Sequence, residues 1–143
     1  MFNLGDKFTS NLFINFSPKA VNSCGGLGKE GPFIKLALYD ILFLDKALYY
    51  TNDLKFTEYD SFKNSPDIGE LNDVNAHQWI KALVAHEIAH AVQQYVYYLD
   101  IREVNGKETV PSCYFESLKK PHGNGWKYLY THLRKELLNT DNI

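Results

Sequence analysis

The sequence predicts a single α+β domain, because strand-like segments fill its first half and helix-like segments fill its second half. The chain has 143 residues, a length that suits one hydrophobic core, so we expect one domain over residues 1–143. Hydrophobic residues make up 45% of the chain and charged residues 22%, which is typical of a globular protein and not of a disordered one.

The first half contains short apolar or alternating segments bounded by turn residues. Residues 12–16 and 33–38 are predicted strands, and residues 54–62 alternate partly and are predicted to form an edge strand. The glycine-rich stretch at residues 25–28 predicts a loop. Residues 39–50 fit a strand or a helix equally well by periodicity, so their structure stays open.

The second half opens, after the polar and turn-rich residues 64–75, with a long helix predicted to run to about residue 98. Asn75 can cap this helix, and Gln78 stands three residues later, where it can return the hydrogen bond. The apolar residues lie on more than one face, which is typical of a central helix. Two His, one Glu and two Gln within residues 82–99 argue against a membrane span.

A second helix is predicted from about Asn124 to about Leu138, following a loop at residues 103–112. Its apolar residues recur at helical spacing and would form one buried stripe. They are Trp126, Leu129, Tyr130, Leu133 and Leu137.

One motif in the long helix carries chemistry. Glu87 is the only formally charged residue between Lys81 and Asp100, and a carboxylate in so apolar a helix is costly to bury without compensation. His86 and His90 are four residues apart, so they share a helix face and can bind one zinc ion. Zinc lowers the pKa of a bound water toward roughly 7, and Glu87 can then accept its proton.

This spacing is the HExxH arrangement of zinc metallopeptidases. The competing interpretation is a pair of core histidines beside a buried glutamate. A metzincin is excluded, because Gln93 and Val96 stand where that class has its Gly and its third His.

Ten tyrosines offer candidates for oxyanion stabilisation, although core packing suits each of them too. The three nearest the motifs are Tyr114, Tyr128 and Tyr130.

A catalytic zinc needs a third protein ligand and an open fourth position. His122 lies in a Pro-His-Gly turn just before the second helix, from which its side chain can point inward, so it is the predicted third ligand. Glu116 and His132 are the alternatives. With Glu116 as ligand, the protein would be a zinc hydrolase of the gluzincin type.

The two motifs together, HEIAH on an apolar helix and PHGNGW at the opening of a later helix, resemble the SprT-like zinc metallopeptidase domain over about residues 75–138. The resemblance implies a minimal zincin fold, in which a small antiparallel sheet packs on the active-site helix. It also implies a zinc cofactor and hydrolysis of protein substrates, including proteins bound to DNA. The residues on the family's positions are His86, Glu87, His90, His122, Gly123 and Trp126.

Charge and cysteine content bear on partners and location. The net charge of −2 argues against a stand-alone nucleic-acid binder. Five basic residues near His122 could form a basic rim that attracts DNA or an acidic substrate, or an ordinary solvated face. They are Lys119, Lys120, Lys127, Arg134 and Lys135.

Two well-separated cysteines, with no signal peptide evident at the N-terminus, favour free thiols and a cytoplasmic location. A non-catalytic zinc-stabilised module and a DNA-binding adaptor remain alternative functions.

Overall fold

The computed structural model of the chain describes residues 12–18, 22–37, 51–100 and 122–139, with the backbone alone described over 96–100. In these ranges the protein is a small α+β fold of short strands and two helices, as predicted. The strands are β1 (Phe13–Ser17), β2 (Cys24–Gly28), β3 (Gly31–Ala37), β4 (Leu54–Phe56) and β5 (Leu71–Val74), and the helices are α1 (Ala76–Asp100) and α2 (Asn124–Leu138).

Three strands form a sheet in the order β1-β3-β2. β2 and β3 form an antiparallel hairpin, whereas β1 runs parallel to β3 with Ile14 opposite Ile34. The prediction of an antiparallel sheet is therefore wrong for the β1–β3 pair. Since β2 occupies one edge of β3, β1 lies on the other edge, and the sheet is mixed.

The glycine-rich stretch is strand β2 and not the predicted loop. A Cβ on Gly25 would lie 2.0 Å from the carbonyl oxygen of Glu87, so only glycine lets β2 approach the α1 backbone this closely. Two residues further along β2, Leu27 donates its backbone N–H to Oε1 of Gln94 over 2.9 Å. This close approach fixes β2 across the centre of α1.

The strand predicted over residues 54–62 is shorter than expected. Only β4 is extended and paired, with Leu54 opposite Val74 and Phe56 opposite Leu71 of β5. Strand β5 lies within the stretch for which turns were expected. Beyond β4 the alternation of buried and exposed side chains continues to Glu58, which is 6% exposed. This register directs Glu58 toward the interior.

Helix α1 begins with the predicted reciprocal cap. Asn75 donates its backbone N–H to Gln78 Oε1 over 3.0 Å, and Gln78 returns its N–H to Asn75 Oδ1 over 2.9 Å. The helix is central, since its buried residues join both hydrophobic clusters described for the chain. No helix among the described residues has the length and apolar character needed to cross a bilayer.

Helix α2 has the predicted bounds and the predicted stripe. Trp126, Leu129 and Tyr130 are buried, and Leu133 and Leu137 are partly buried against the same core. The helix follows His122 directly, so its packing on α1 places that residue beside the HExxH motif. The predictions for residues 39–50 and 103–112 lie outside the described residues.

Candidate metal centre

His86, His90 and His122 lie close enough together to bind one metal ion. The Nε2 atom of His122 is 3.0 Å from Nε2 of His90 and 3.3 Å from Nε2 of His86. The third residue predicted from the sequence is thus brought to the HExxH pair. Three ring nitrogens converge on one point, two from α1 and one from the turn before α2.

The spacing of these nitrogens suits a tetrahedral zinc ion. With Zn–N bonds of about 2.0–2.1 Å, two ligand nitrogens of a tetrahedron are about 3.3–3.4 Å apart. The two observed separations, 3.0 and 3.3 Å, lie at or just below that length. Among the described residues the set consists of three imidazoles, which leaves a fourth position open, as in catalytic zinc sites. The residues present therefore fit a zinc ion.

The two α1 histidines differ in exposure. His86 is buried, with 7% of its surface exposed, whereas His90 is half-buried and nearer the surface. Their ring centroids lie 5.2 Å apart on one face of α1, as the four-residue spacing predicts. The helix therefore presents the pair as a fixed, bidentate unit.

His122 reaches the pair from a backbone turn with φ of +58°, in the left-handed region. This conformation costs a non-glycine residue roughly 1–2 kcal/mol, and histidine adopts it more readily than most residues. Ring packing offsets the cost, because the ring centroids of Tyr59 and Trp126 each lie 4.5 Å from that of His122. The strained turn thus aims His122 at α1.

Electrostatics favour the neutral forms of His90 and His122. Burial, with the neighbouring charges of His86 and His122, lowers the pKa of His90 from 6.5 to about 3. Burial and His86 also lower the pKa of His122. A neutral imidazole has a free lone pair, which is the form that binds a metal ion. At neutral pH the site is therefore ready to accept a cation.

Trp126 forms one wall of the centre. Its ring stacks on His90, with centroids 5.1 Å apart and planes 24° from parallel. Its indole N–H donates to the backbone oxygen of His86 over 3.4 Å. Trp126 is fully buried, so it excludes water from the inner side of the histidine cluster.

Glu58 is a site residue that the sequence analysis missed. Its Oε2 lies 3.5 Å from Nδ1 of His86, on the side of that ring facing away from the cluster. Its Oε1 accepts a hydrogen bond from the hydroxyl of Tyr130, and Arg134 donates to that hydroxyl over 3.3 Å. The sequence signal for Glu58 was strand alternation. Leu54 and Phe56 are buried, so the next residue at a spacing of two, Glu58, also faces the interior.

A cleft of about 710 Å³ opens beside the cluster. His86 and Glu87 line it together with residues of the β4 segment, and Tyr59, which is 55% exposed, stands at its rim. Glu87 itself is 5% exposed. The cleft therefore gives a molecule access to His86 and Glu87, whereas His90 and His122 are not among its lining residues.

The remaining predicted candidates are placed as follows. His132 is exposed on α2 and does not belong to the cluster, and Glu116 lies outside the described residues. Arg134 is only 4% exposed, so it belongs neither to a basic rim nor to a solvated helix face. Tyr130 is buried and hydrogen-bonded to Glu58, Tyr128 is exposed, and Tyr114 lies outside the described residues. Among the described tyrosines, Tyr59 is the one that lines the cleft.

The chain was compared with protein-family models, curated proteins and solved structures, and none of them matches it.

Proposed function

We propose that the protein is a zinc-dependent metallopeptidase with a zincin-type site, similar to the SprT-like domain. The observation that carries this proposal is the convergence of three Nε2 atoms, one of them from His86, which lines a cleft together with Glu87. The order of the parts, an HExxH helix followed by a histidine at the opening of the next helix, supports the likeness to that family.

In this proposal His86, His90 and His122 hold the zinc ion. Zinc would act as a Lewis acid, lowering the pKa of a water molecule that it binds to about 7. Glu87 is the general base that accepts the proton of the attacking water and then passes it to the leaving amine. Glu87 suits this role because it borders both the cleft and His86.

The remaining side chains shape the reaction site. Trp126 keeps water from the inner face of the histidines, and Tyr59 lines the cleft with its ring centroid 4.5 Å from that of His122. An open cleft suits an extended peptide segment better than a small enclosed ligand. The proposed substrates are therefore proteins, including proteins bound to DNA, as the family likeness implies.

Replacing Glu87 tests the enzymatic proposal. Glu87→Gln removes the base but keeps the shape of the side chain, so we expect unchanged zinc content and loss of proteolysis by at least about 100-fold. The measurement is cleavage of an unfolded protein substrate, with and without DNA, alongside metal analysis of the same preparations.

Glu30→Gln is the matched control, because it makes the same charge change at an exposed turn. This control should cleave like the unmodified protein. Equal proteolysis by Glu87→Gln and the unmodified protein would contradict the assignment of the base. A zinc-loaded protein that cleaves no substrate would instead favour a non-catalytic zinc-stabilised module.

A further inference from the structure

We infer that Glu58 is a positioning residue, which holds the His86 ring in the one tautomer that can bind metal through Nε2. This inference rests on the proposed metal site and identifies a residue outside the HExxH and Pro-His-Gly motifs. It follows from how the two oxygens of a single buried carboxylate are used.

The contacts of Glu58 divide between its oxygens. Oε2 lies 3.5 Å from Nδ1 of His86, and Oε1 accepts from the Tyr130 hydroxyl. The guanidinium of Arg134 lies 4.0 Å from the same Oε1 and donates to Tyr130 over 3.3 Å. The Glu58 carboxylate thus connects Tyr130 and Arg134 of α2 to His86 of α1.

Burial protects the contacts of Glu58 from competition by water. The side chain of Glu58 is 2% exposed, that of Arg134 5% and that of His86 9%, so water competes little for these groups. Burial and the nearby carboxylate raise the pKa of Tyr130 above its usual range, so its hydroxyl keeps the proton that it donates to Glu58. With Oε1 engaged by α2, Oε2 is the oxygen that faces His86.

A neutral imidazole carries its proton on one nitrogen only. A carboxylate facing Nδ1 can only accept a hydrogen bond, so it favours the proton on Nδ1 and leaves the lone pair on Nε2. His86 Nε2 is the atom that faces His122. Glu58 therefore selects the His86 tautomer that the metal site requires.

Glu58→Gln reverses this selection while keeping the size of the side chain. The Tyr130 hydroxyl would keep the amide oxygen as its acceptor, which turns the amide NH₂ toward Nδ1 of His86. That Nδ1 would then accept a hydrogen bond, and the proton would move to Nε2. We expect zinc binding to weaken about 10–100-fold, the usual effect of losing such a partner.

The experiment has two readouts. The first is the tautomer of His86 in the metal-free protein, measured by long-range ¹H–¹⁵N NMR at a slightly alkaline pH, where imidazoles are neutral. We expect the proton on Nδ1 in the unmodified protein and in Glu30→Gln, and on Nε2 in Glu58→Gln. The second is the zinc dissociation constant, measured by competition with a chromogenic chelator.

The outcomes separate this inference from the proposed function. An Nε2–H tautomer in the unmodified protein would overturn the inference, and so would unchanged zinc affinity in a folded Glu58→Gln variant. Either result is compatible with a working zinc peptidase. If the unmodified protein carries the proton on Nδ1 but binds no zinc, the positioning by Glu58 stands and the proposed function fails.

Discussion

At the scale of single residues, each histidine of the metal centre is oriented by a contact that leaves its Nε2 facing the other two. Glu58 faces Nδ1 of His86, Trp126 stacks on the ring of His90, and the rings of Tyr59 and Trp126 flank His122. The affinity of a metal site depends both on which residues are ligands and on how the surrounding groups orient them.

The depressed pKa of His90 predicts a pH dependence for the metal-free protein. This group titrates near 6.5 when unfolded and near 3 when folded, so between these values the unfolded chain binds more protons. The free energy of unfolding should therefore fall as the pH decreases from 6.5 toward 3. Urea unfolding of the metal-free protein across this range measures the slope.

His90→Gln isolates this contribution, because glutamine removes the titrating group and keeps a polar side chain. The slope should become shallower in this variant and stay unchanged in His132→Gln, which alters an exposed histidine. Equal slopes in His90→Gln and the unmodified protein would show that His90 is not buried in its neutral form.

Much of the residue-level site was predictable from the sequence. His86, Glu87 and His90 stand out because ionisable side chains in an apolar helix need a compensating role. Glu58 was missed because its partner His86 is 28 residues away in sequence, and alternation alone does not reveal which buried polar groups meet. Its contacts depend on the packing of α2, which no local pattern encodes.

At the scale of elements, the position of β2 depends on glycine. The Cβ of an alanine at position 25 would lie 2.0 Å from the Glu87 carbonyl oxygen, and a backbone atom cannot rotate away. We expect Gly25→Ala to lower the free energy of unfolding by about 1–3 kcal/mol, as overpacking does. Chemical denaturation measures this change.

Gly28→Ala is the matched control in the same strand. A Cβ at Gly28 meets its nearest atom at 3.6 Å, which is ordinary van der Waals contact. The control should change the free energy of unfolding by no more than about 0.5 kcal/mol. Equal effects of the two substitutions would contradict the close packing of β2 on α1.

The helices were more predictable than the strands. The start of α1 carries a local signal, and the reciprocal Asn75–Gln78 cap formed as expected. Helix α2 was located by the helical spacing of its apolar residues. Strand β2 was mistaken for a loop because glycine is disfavoured in strands on average, whereas here a tertiary contact requires it. The parallel β1–β3 pairing was missed because an apolar run carries no information on strand direction.

At the scale of the whole molecule, the histidine cluster connects α1 with the residue that precedes α2. His86 and His90 belong to α1, and His122 precedes α2, whose side chains Tyr130 and Arg134 return to the site through Glu58. A bound ion would therefore tie the opening of α2 to the middle of α1. A ligand that binds only the folded state stabilises the protein, so zinc loading should also raise its thermal stability.

The zinc content of protein purified without added metal, measured for the unmodified chain and for His122→Ala, tests whether the three histidines bind one zinc ion. His132→Ala serves as the control, since it removes an exposed histidine outside the cluster. We expect one zinc per chain in the unmodified protein and in the control, and a loss of zinc in His122→Ala. Zinc retained in full by folded His122→Ala, or absent from the unmodified protein, would contradict zinc binding by the three histidines.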